Sequence, residues 1–351
     1  MRAQVLHEIN KLMYEEVPDP EPKEGEVLVK VRAAGVCGSD IPRIYRTGAH
    51  RMPLIPGHEF AGEVVETGSG VTQTWIGKRV GIFPLIPCKN CAMCRAGHYE
   101  LCRDYDYIGS RRDGAFAEYV TVPEWNLMEL PDQVTFAQAA MMEPMAVAVH
   151  AMRRGLSKAD NLSVAVLGLG TIGTLLAMFL RESGVKELYV IGNKEPQRKR
   201  MELLGIPAGN YCDGKKEDPV KWLSERTESR SGADVVFECV GTDQACRQAL
   251  GLAAPMGTVV LVGNPSGDMR LLQNDYWKIL RNQLTVTGTW NSAFGENTGN
   301  DWGYVLKKLE GGRISPEKLI TQTFPLKELP VGLQIMRDKT EDFCKVMVID
   351  L

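Results

Sequence analysis

A glycine-rich turn between a strand and a helix is the feature that most limits how this chain can fold. Residues 163–173 read SVAVLGLGTIG, an apolar run that ends in G-x-G-x-x-G, and the helix-like TLLAMFLRESG follows. In that context the first glycine allows a tight turn, the second lets the backbone approach a pyrophosphate, and the third permits close helix–strand packing. An ordinary strand-to-helix turn is the alternative. We predict a dinucleotide-binding turn whose cofactor contacts are Gly168, Gly170, Thr171, Ile172 and Gly173.

Strand-like and helix-like segments alternate on either side of this turn. ELYVIGN and ADVVFECVG read as buried strands, and PQRKRMELLG between them reads as a helix. Such alternation is typical of a doubly wound parallel sheet. Earlier segments such as EVLVKVRAAGV have a β-like residue pattern, and this pattern returns after about residue 285 in LTVTGTW and KVMVIDL, which we expect to rejoin the first domain. We therefore predict an α/β fold with two domains: a β-rich domain of residues 1–150 and 286–351, and a dinucleotide-binding Rossmann domain of residues 151–285.

The end of the second strand of that domain favours NADP(H) over NAD(H). Sites for NAD usually have an acidic residue there that binds the ribose 2′-hydroxyl, but Gly192 occupies the expected position. Asn193, Lys194 and Arg198 could instead bind a 2′-phosphate. Alternatively, these basic residues form only a solvated helix start without a role in binding. A small shift of the loop could also bring Glu195 to the ribose.

Four closely spaced cysteines predict a metal site. They are arranged as C-x2-C-x2-C-x7-C, a spacing that lets one loop surround a zinc ion with four thiolates. Because such a shell leaves no open coordination position, this zinc would be structural. A disulfide knot is the alternative, but three cysteines so closely spaced suit chelation better. The proposed ligands are Cys88, Cys91, Cys94 and Cys102.

A second group of potential ligands is spread along the first domain. Cys37, His58 and Glu143 offer a thiolate, an imidazole and a carboxylate, and three such ligands with one open position are typical of a catalytic zinc. Each of these residues alone would more often be structural. Together with the cysteine cluster and the glycine turn, they predict a catalytic metal centre.

Composition excludes several other classes of function. The 351 residues carry a net charge of −3, which gives no general attraction to nucleic acid or to anionic membranes. We see no run of 18 apolar residues and no apolar signal-peptide core near the start. Nine cysteines without a secretion signal indicate a reducing compartment, so we expect a cytoplasmic protein with no nucleic-acid or membrane partner.

These motifs together resemble the zinc-dependent medium-chain alcohol/polyol dehydrogenases over essentially the whole chain. The resemblance rests on Cys37-Gly38-Ser39-Asp40, Gly57-His58-Glu59, the four cysteines, Glu143-Pro144 and the glycine turn. It implies a GroES-like catalytic domain beside the Rossmann domain. It also implies an oxidoreductase with two zinc ions per subunit, one catalytic and one structural, that transfers hydride between an alcohol and a nicotinamide cofactor.

The resemblance also implies roles for individual residues. Cys37, His58 and Glu143 would ligate the catalytic zinc, and Glu59 would either support these ligands or exchange onto the metal. Ser39 would accept the proton of the substrate hydroxyl. Relatives often continue that relay through a histidine, but residues 42–44 are Pro-Arg-Ile, so the relay stops at Ser39. Residues expected near the nicotinamide are Val262, Gly263, Thr289 and Trp290.

The substrate is predicted from arginines and from local resemblance. CGSDIPRIYRTGAH, PLIPCKNCAMC and YIGSRRDGAFAEY resemble the branch of the family that acts on galactitol 1-phosphate. The phosphate of a hexitol phosphate needs cationic partners, which arginines can supply. Alternatively, these arginines are solvated surface residues that bind no substrate. An unphosphorylated polyol or secondary alcohol, and a non-catalytic nucleotide-binding protein, are the rival functions. Relatives form homodimers or homotetramers. The candidate phosphate ligands are Arg43, Arg46, Arg111 and Arg112.

Overall fold

The chain forms two compact units, each with its own core. A computed structural model describes residues 1–156, 162–227, 231–295 and 300–349. One unit comprises Met1–Glu143 and Ala293–Leu351, and the other comprises Pro144–Ser292. The second unit is therefore inserted into the first, and its boundaries lie within seven residues of those that the sequence suggests.

Short, mostly antiparallel strands form the first part of the discontinuous unit. Its strands are β1 (Arg2–Glu8), β2 (Lys11–Glu16), β3 (Glu26–Val36), β4 (Glu59–Thr67), β5 (Arg79–Ile82), β6 (Leu85–Ile86), β7 (Asp106–Tyr107), β8 (Tyr119–Pro123) and β9 (Leu127–Glu129). Its α-helices are α1 (Asp40–Pro42), α2 (Ala92–Arg95) and α3 (Phe136–Ala140). A π-helical turn spans Arg43–Thr47, and 3-10 turns span Gln73–Trp75, Tyr99–Leu101 and Glu124–Asn126.

The inserted unit alternates strands and helices around one parallel sheet. In chain order its elements are α4 (Met142–Gly155, which begins in the first unit), β10 (Ser163–Leu167), α5 (Thr171–Glu182), β11 (Glu187–Gly192), α6 (Glu195–Leu203), a 3-10 turn (Ala208–Asn210), β12 (Tyr211–Asp213), α7 (Pro219–Ser224), β13 (Ala233–Glu238), α8 (Asp243–Leu252), β14 (Ala253–Leu261), α9 (Gln273–Arg281) and β15 (Thr285–Gly288). The strand order is β12-β11-β10-β13-β14-β15, and all pairs are parallel. This order is that of a doubly wound dinucleotide-binding sheet.

The chain then returns to the first unit. The returning elements are α10 (Asp301–Glu310), 3-10 turns at Pro316–Leu319 and Leu326–Glu328, β16 (Ile320–Phe324), α11 (Leu329–Asp338) and β17 (Lys345–Ile349). The larger sheet of this unit runs β16-β17-β3-β4-β5-β9, and β8 also pairs with β3. Residues Val27, Val29 and Val31 of β3 are fully buried, so this strand lies at the centre of the core.

One strand differs from the sequence-based domain assignment. The segment LTVTGTW was expected to begin the return to the first domain. In the structure, Thr285–Gly288 pairs in parallel with Thr258–Leu261 and forms an edge of the nucleotide-type sheet. The return therefore begins at Ala293. The residue pattern of a short strand does not specify which sheet the strand joins. The pattern alone therefore placed this domain boundary too early.

Candidate metal centres and nucleotide site

Two strand ends bring a cysteine and a histidine to the same edge of the first unit's sheet. Strand β3 ends one residue before Cys37, and β4 begins one residue after His58. The two strands are antiparallel, with Gly35 opposite Glu59. The residues that follow one strand and precede the other must therefore lie close together.

The resulting cluster has the donor set of a metal site. One ligand atom each of Cys37, His58 and Glu59 lies within 4.8 Å of the others. His58 is buried, and its Nδ1 has no hydrogen-bond partner. An orphaned buried imidazole nitrogen beside a thiol and a carboxylate fits a divalent cation of the zinc type.

A glycine lets the chain turn sharply before the histidine. Gly57 has φ of +101°, a conformation that other residues rarely adopt. A Cβ atom at this position would lie 2.7 Å from Cδ1 of Phe116 and 2.9 Å from its backbone nitrogen. The Gly57-His58 pair is thus required by backbone conformation as well as by ligand chemistry.

Asp40 organises the loop that carries the cysteine. Its Oδ2 accepts a hydrogen bond of 3.0 Å from the Cys37 backbone amide, and its Oδ1 pairs with the Arg43 guanidinium. The same Oδ1 lies 3.6 Å from Nδ1 of His58. The fully buried Asp40 therefore fixes the Cys37 loop and lies next to His58, a role that sequence reasoning missed although the residue lies within the quoted motif.

Glu143 lies beside this cluster but outside its tight core. Its carboxylate accepts a hydrogen bond of 3.2 Å from the Tyr107 hydroxyl, and the Tyr107 ring packs edge-on to His58 with ring centroids 5.8 Å apart. Burial and the neighbouring charge of Glu59 raise the pKa of Glu143 to about 7. In this structure Glu59, rather than Glu143, completes the set with Cys37 and His58.

A buried lysine that the sequence did not single out neutralises Glu59. Lys345 opens β17, is 1% exposed, donates a 3.0 Å hydrogen bond to the Val36 carbonyl and forms an ion pair with Glu59. At Gly35 a Cβ atom would lie 2.7 Å from Cε of Lys345, so only glycine leaves room for the pair. A lysine at the start of an apolar strand belongs to no recognised motif, and only the strand pairing reveals its role.

Negative charge and burial keep the cysteine of this cluster protonated when no cation is bound. Burial raises the pKa of the Cys37 thiol strongly, and the charges of Glu59 and Asp40 raise it further. A bound cation would reverse that balance, because it favours the thiolate. Ser39, two residues further on, donates its backbone N–H to Sγ of Cys37 at 3.5 Å. Within the described ranges its hydroxyl makes no hydrogen bond, so it remains able to accept a proton.

The four other cysteines converge as the sequence predicts. Their Sγ atoms lie within 4.8 Å of one another, and those of Cys88 and Cys94 are 4.0 Å apart, far beyond the length of a disulfide. The Cys88 amide donates to Cys102 Sγ at 3.3 Å, and the Cys94 amide donates to Cys91 Sγ at 3.5 Å. None of these four cysteines forms a disulfide. Amides aimed at sulfur fit a four-thiolate metal shell.

Local hydrogen bonds and burial give the thiols of this cluster different pKa values. Cys91 caps the N-terminus of α2, and the Cys94 backbone N–H lowers the pKa of the Cys91 thiol to about 6. Burial raises the pKa of Cys94 to about 12 and also raises that of Cys102. Of Cys91, Cys94 and Cys102, Cys91 therefore has the lowest pKa.

The glycine turn of the inserted unit has the geometry that its motif predicts. Gly168 follows β10 with φ of +96°, and α5 begins after Gly170. A Cβ at Gly168 would lie 3.2 Å from the Cys239 carbonyl carbon. A cavity of about 530 Å³ opens beside this turn and is also lined by Gly192, Asn193 and Lys215.

The remaining predicted cofactor residues fall into two groups. Asn193 lines the cavity, whereas Lys194 and Arg198 do not, and Arg198 forms a half-exposed ion pair with Glu202. Val262, Gly263, Thr289 and Trp290 follow β14 and β15 at the carboxyl edge of the sheet, outside this cavity's lining. The Thr289 hydroxyl is buried without a hydrogen-bond partner.

The four predicted phosphate arginines do not gather at one place. Arg43 is held by Asp40, and Arg112 is bound to Glu26 at 2.6 Å, so both have carboxylate partners. Arg46 is exposed. Arg111 lines a cavity of about 530 Å³, stacks at 4.5 Å on the ring of Tyr105 and leaves its buried Nε without a partner.

Comparisons with known proteins agree with this architecture. Residues 23–132 match the alcohol dehydrogenase GroES-like domain, and residues 171–310 match the zinc-binding dehydrogenase domain. Galactitol 1-phosphate 5-dehydrogenase of Escherichia coli K12 is 35% identical over 302 residues, which cover 86% of each chain. A crystal structure of galactitol-1-phosphate dehydrogenase from Escherichia coli is 31% identical, covers 100% of both chains and has a TM-score of 0.91.

Two solved structures contain a nicotinamide cofactor. A zinc-binding dehydrogenase from Sinorhizobium meliloti 1021, bound to NADP, is 30% identical over 99% of both chains, with a TM-score of 0.89. The alcohol dehydrogenase RspB from Escherichia coli CFT073, complexed with NADH, is 28% identical with a TM-score of 0.89 and covers 100% of this chain and 99% of its own. Within the described part of the chain, no helix has the length and apolar character needed to cross a membrane.

Proposed function

Because this chain belongs to the family of zinc-binding medium-chain dehydrogenases and is an oxidoreductase of the alcohol and polyol type, we propose that it oxidises a secondary hydroxyl of a hexitol phosphate to a ketose phosphate. Its nicotinamide cofactor would accept the hydride. The observation that carries the reaction class is the clustering of Cys37, His58 and Glu59 at one sheet edge, with Glu143 beside them.

These residues would hold the catalytic zinc. Cys37 and His58 are the common ligands of either arrangement, with Glu59 or Glu143 as the third. Zinc in such a site supplies Lewis acidity, which lowers the pKa of an alcohol and polarises a ketone. Lys345 stabilises Glu59 when that carboxylate is off the metal, and Tyr107 orients Glu143. The hydroxyl of Ser39 would accept the proton that the substrate loses while its own proton passes to water.

A second, structural zinc would occupy the four-cysteine cluster. The amide-to-sulfur hydrogen bonds and the low pKa of Cys91 support metal binding there. We therefore expect two zinc ions per chain, in a reducing compartment such as the cytoplasm, where the nine thiols stay unoxidised.

A phosphorylated substrate is supported by the likeness to galactitol 1-phosphate 5-dehydrogenase and by Arg111. The Tyr105 ring beneath Arg111 lies 6.1 Å from the ring of Tyr107, which itself contacts His58. The cavity at Arg111 is thus connected to the metal cluster through two packed aromatic rings. Arg111 lines this cavity together with Arg51, Asp104 and Asp106, and its guanidinium is the proposed donor for a phosphate oxygen.

The test is nicotinamide reduction with galactitol 1-phosphate, galactitol and sorbitol, each with NAD+ and NADP+. We expect turnover mainly with the phosphate ester, and Arg111→Gln should raise its KM while Arg103→Gln, an exposed arginine of the neighbouring loop, should not. Equal turnover of the free polyols would leave a general polyol dehydrogenase. No turnover with any alcohol after zinc loading would reject an enzymatic role.

The NADP(H) preference is supported by the lack of an acidic residue at Gly192. A Cβ atom at Gly192 would lie 2.8 Å from Gln197 Oε1 and 2.8 Å from the Tyr211 hydroxyl. Those groups bind the Asn193 amide and the Lys194 carbonyl, so a larger residue at 192 would have to displace two hydrogen-bonded side chains. A higher kcat/KM for NADP+ than for NAD+ is expected in the same assay.

A second copy of this chain is the partner that the inserted unit favours. Strand β15 is an edge of the sheet, and α9 before it exposes about half of the Tyr276 and Leu280 side chains. Open edges with apolar neighbours favour pairing with another chain. Light scattering after gel filtration should give a dimer or tetramer, and Leu280→Glu should shift it toward monomer. A monomeric wild-type protein would contradict this proposal.

A further inference from the structure

One lysine stands out in the cavity beside the glycine turn. Among the described residues that line this cavity, Lys215 is the only one with a charged side chain, and none is acidic. Lys215 is exposed and has no ion-pair partner among the described residues. The phosphates of a dinucleotide are negatively charged, and the only formal charge in the described cavity lining is the positive charge of Lys215.

The sheet fixes where this lysine lies. Strand β12 pairs in parallel with β11, and Asp213 is opposite Gly192 in the register. The Gly214 amide donates a 2.8 Å hydrogen bond to the Gly192 carbonyl, which fastens the loop after β12 to the end of β11. Lys215, the next residue, therefore sits beside the strand end at which the adenosine ribose is recognised in such sheets.

The nearby carboxylate is already engaged by its own loop. Oδ1 of Asp213 accepts a 3.0 Å hydrogen bond from the Lys215 amide, and Oδ2 lies 3.4 Å from Nζ of Lys216. Lys216 thus compensates Asp213, while the Lys215 ammonium stays available. The basic residues on α6 are less suitable, because Arg198 is paired with Glu202 and Lys194 lies outside the cavity lining.

We propose that Lys215 is the specificity-determining residue for the cofactor, and that its ammonium binds the 2′-phosphate of NADP(H) beside the Asn193 side chain. This inference rests on the proposed nicotinamide-dependent function. It adds a residue from the neighbouring strand's loop to the three that the sequence suggested at the end of β11.

The test measures binding directly, by titration calorimetry with 2′,5′-ADP and with 5′-AMP, which differ in the 2′-phosphate. Lys215→Ala should weaken 2′,5′-ADP binding by about tenfold, the scale of one lost charge-assisted contact, and leave 5′-AMP unchanged. Lys216→Ala is the matched control, since its side chain pairs with Asp213, and it should alter neither Kd by more than about twofold. Thermal unfolding of each variant is the control for folding, and both variants should melt at the wild-type temperature because the substituted side chains are exposed.

Three outcomes separate this inference from the function on which it rests. Selective weakening of 2′,5′-ADP in the Lys215 variant supports it. If wild type and Lys215→Ala bind 2′,5′-ADP equally, or if wild type binds both nucleotides with equal affinity, the assignment of Lys215 is wrong while the oxidoreductase function stands. If wild type binds neither nucleotide, the nucleotide site itself, and with it the proposed function, is rejected.

Discussion

At the scale of single residues, the buried pair of Glu59 and Lys345 is the most vulnerable point of the metal centre. Replacing Lys345 with Met keeps the volume but leaves a carboxylate that is 2% exposed without a counter-charge. We expect a loss of about 3–5 kcal/mol in the free energy of unfolding of the metal-free protein, the usual effect of breaking a buried pair. Denaturation by urea in the presence of a chelator measures it.

A double variant provides the control for that prediction. Combining Lys345→Met with Glu59→Gln removes the uncompensated charge, so it should destabilise the protein less than Lys345→Met alone. If the single and the double variant unfold at the same urea concentration, Lys345 contributes packing rather than charge neutralisation.

The raised pKa of Glu143 predicts a pH dependence in the metal-free protein. A carboxyl with a pKa of about 7 in the fold and 4.5 when unfolded binds more protons in the folded state between these values. Its contribution to stability therefore falls as pH rises from 4.5 to 7. Glu143→Gln keeps an acceptor for Tyr107 and abolishes this titration. The free energy of unfolding of the variant minus that of wild type should therefore be larger at pH 8 than at pH 4.5. Urea denaturation at both values, with chelator, tests the difference, and a constant difference would contradict the pKa.

Residue types and spacing could predict much of these sites, but not their supporting groups. Cysteine, histidine and glycine motifs point to Cys37, His58, the four-cysteine cluster and Gly168, because metal and phosphate chemistry limits which residues can serve. Lys345 and Lys215 escaped prediction for a different reason. Each acts through pairing with a distant strand, and a lone lysine has no local signal.

At the scale of elements, the segment from Cys88 to Cys102 contains little regular structure that could hold it without metal. It has one helix of four residues, α2, and one 3-10 turn. Cys102→Ser should therefore remove one zinc per chain and lower the melting temperature, since a structural zinc contributes directly to folding. Mass spectrometry of bound metal and calorimetry measure both. Cys246→Ser, outside either cluster, should retain two zinc ions per chain, and equal zinc content in both variants would exclude a metal role for the segment.

Residue patterns predicted which segments form strands better than they predicted which sheet each strand joins. KVMVI forms β17 beside β3 in the first unit, whereas the similar TVTG forms β15 in the other sheet. Both segments suit an extended backbone. Their partners are chosen by tertiary packing, which periodicity in one short segment does not encode.

At the scale of the whole molecule, the two units should respond to different ligands. All candidate metal ligands lie in Met1–Glu143, whereas the glycine turn lies in Pro144–Ser292. Hydrogen exchange should therefore rise in peptides from the first range when a chelator is added, and fall around residues 168–215 when NADP+ is added. Peptides of α10 and β16 provide the comparison, because they belong to the first unit but hold no proposed zinc ligand and no residue paired with one. Uniform changes along the chain would contradict this division.

The pairing of β17 with β3 also orders events during synthesis on the ribosome. Lys345 lies 309 residues after Val36, to whose carbonyl it donates. At usual translation rates about 15–60 s separate the emergence of these partners, while the inserted unit can already fold as it emerges. A nascent chain stalled before residue 345 should consequently retain zinc at the four-cysteine cluster but have Glu59 without its lysine. In such a chain β3 also lacks the strand that pairs with it next to Cys37, so the supports of the catalytic centre are completed only after the last residues have emerged.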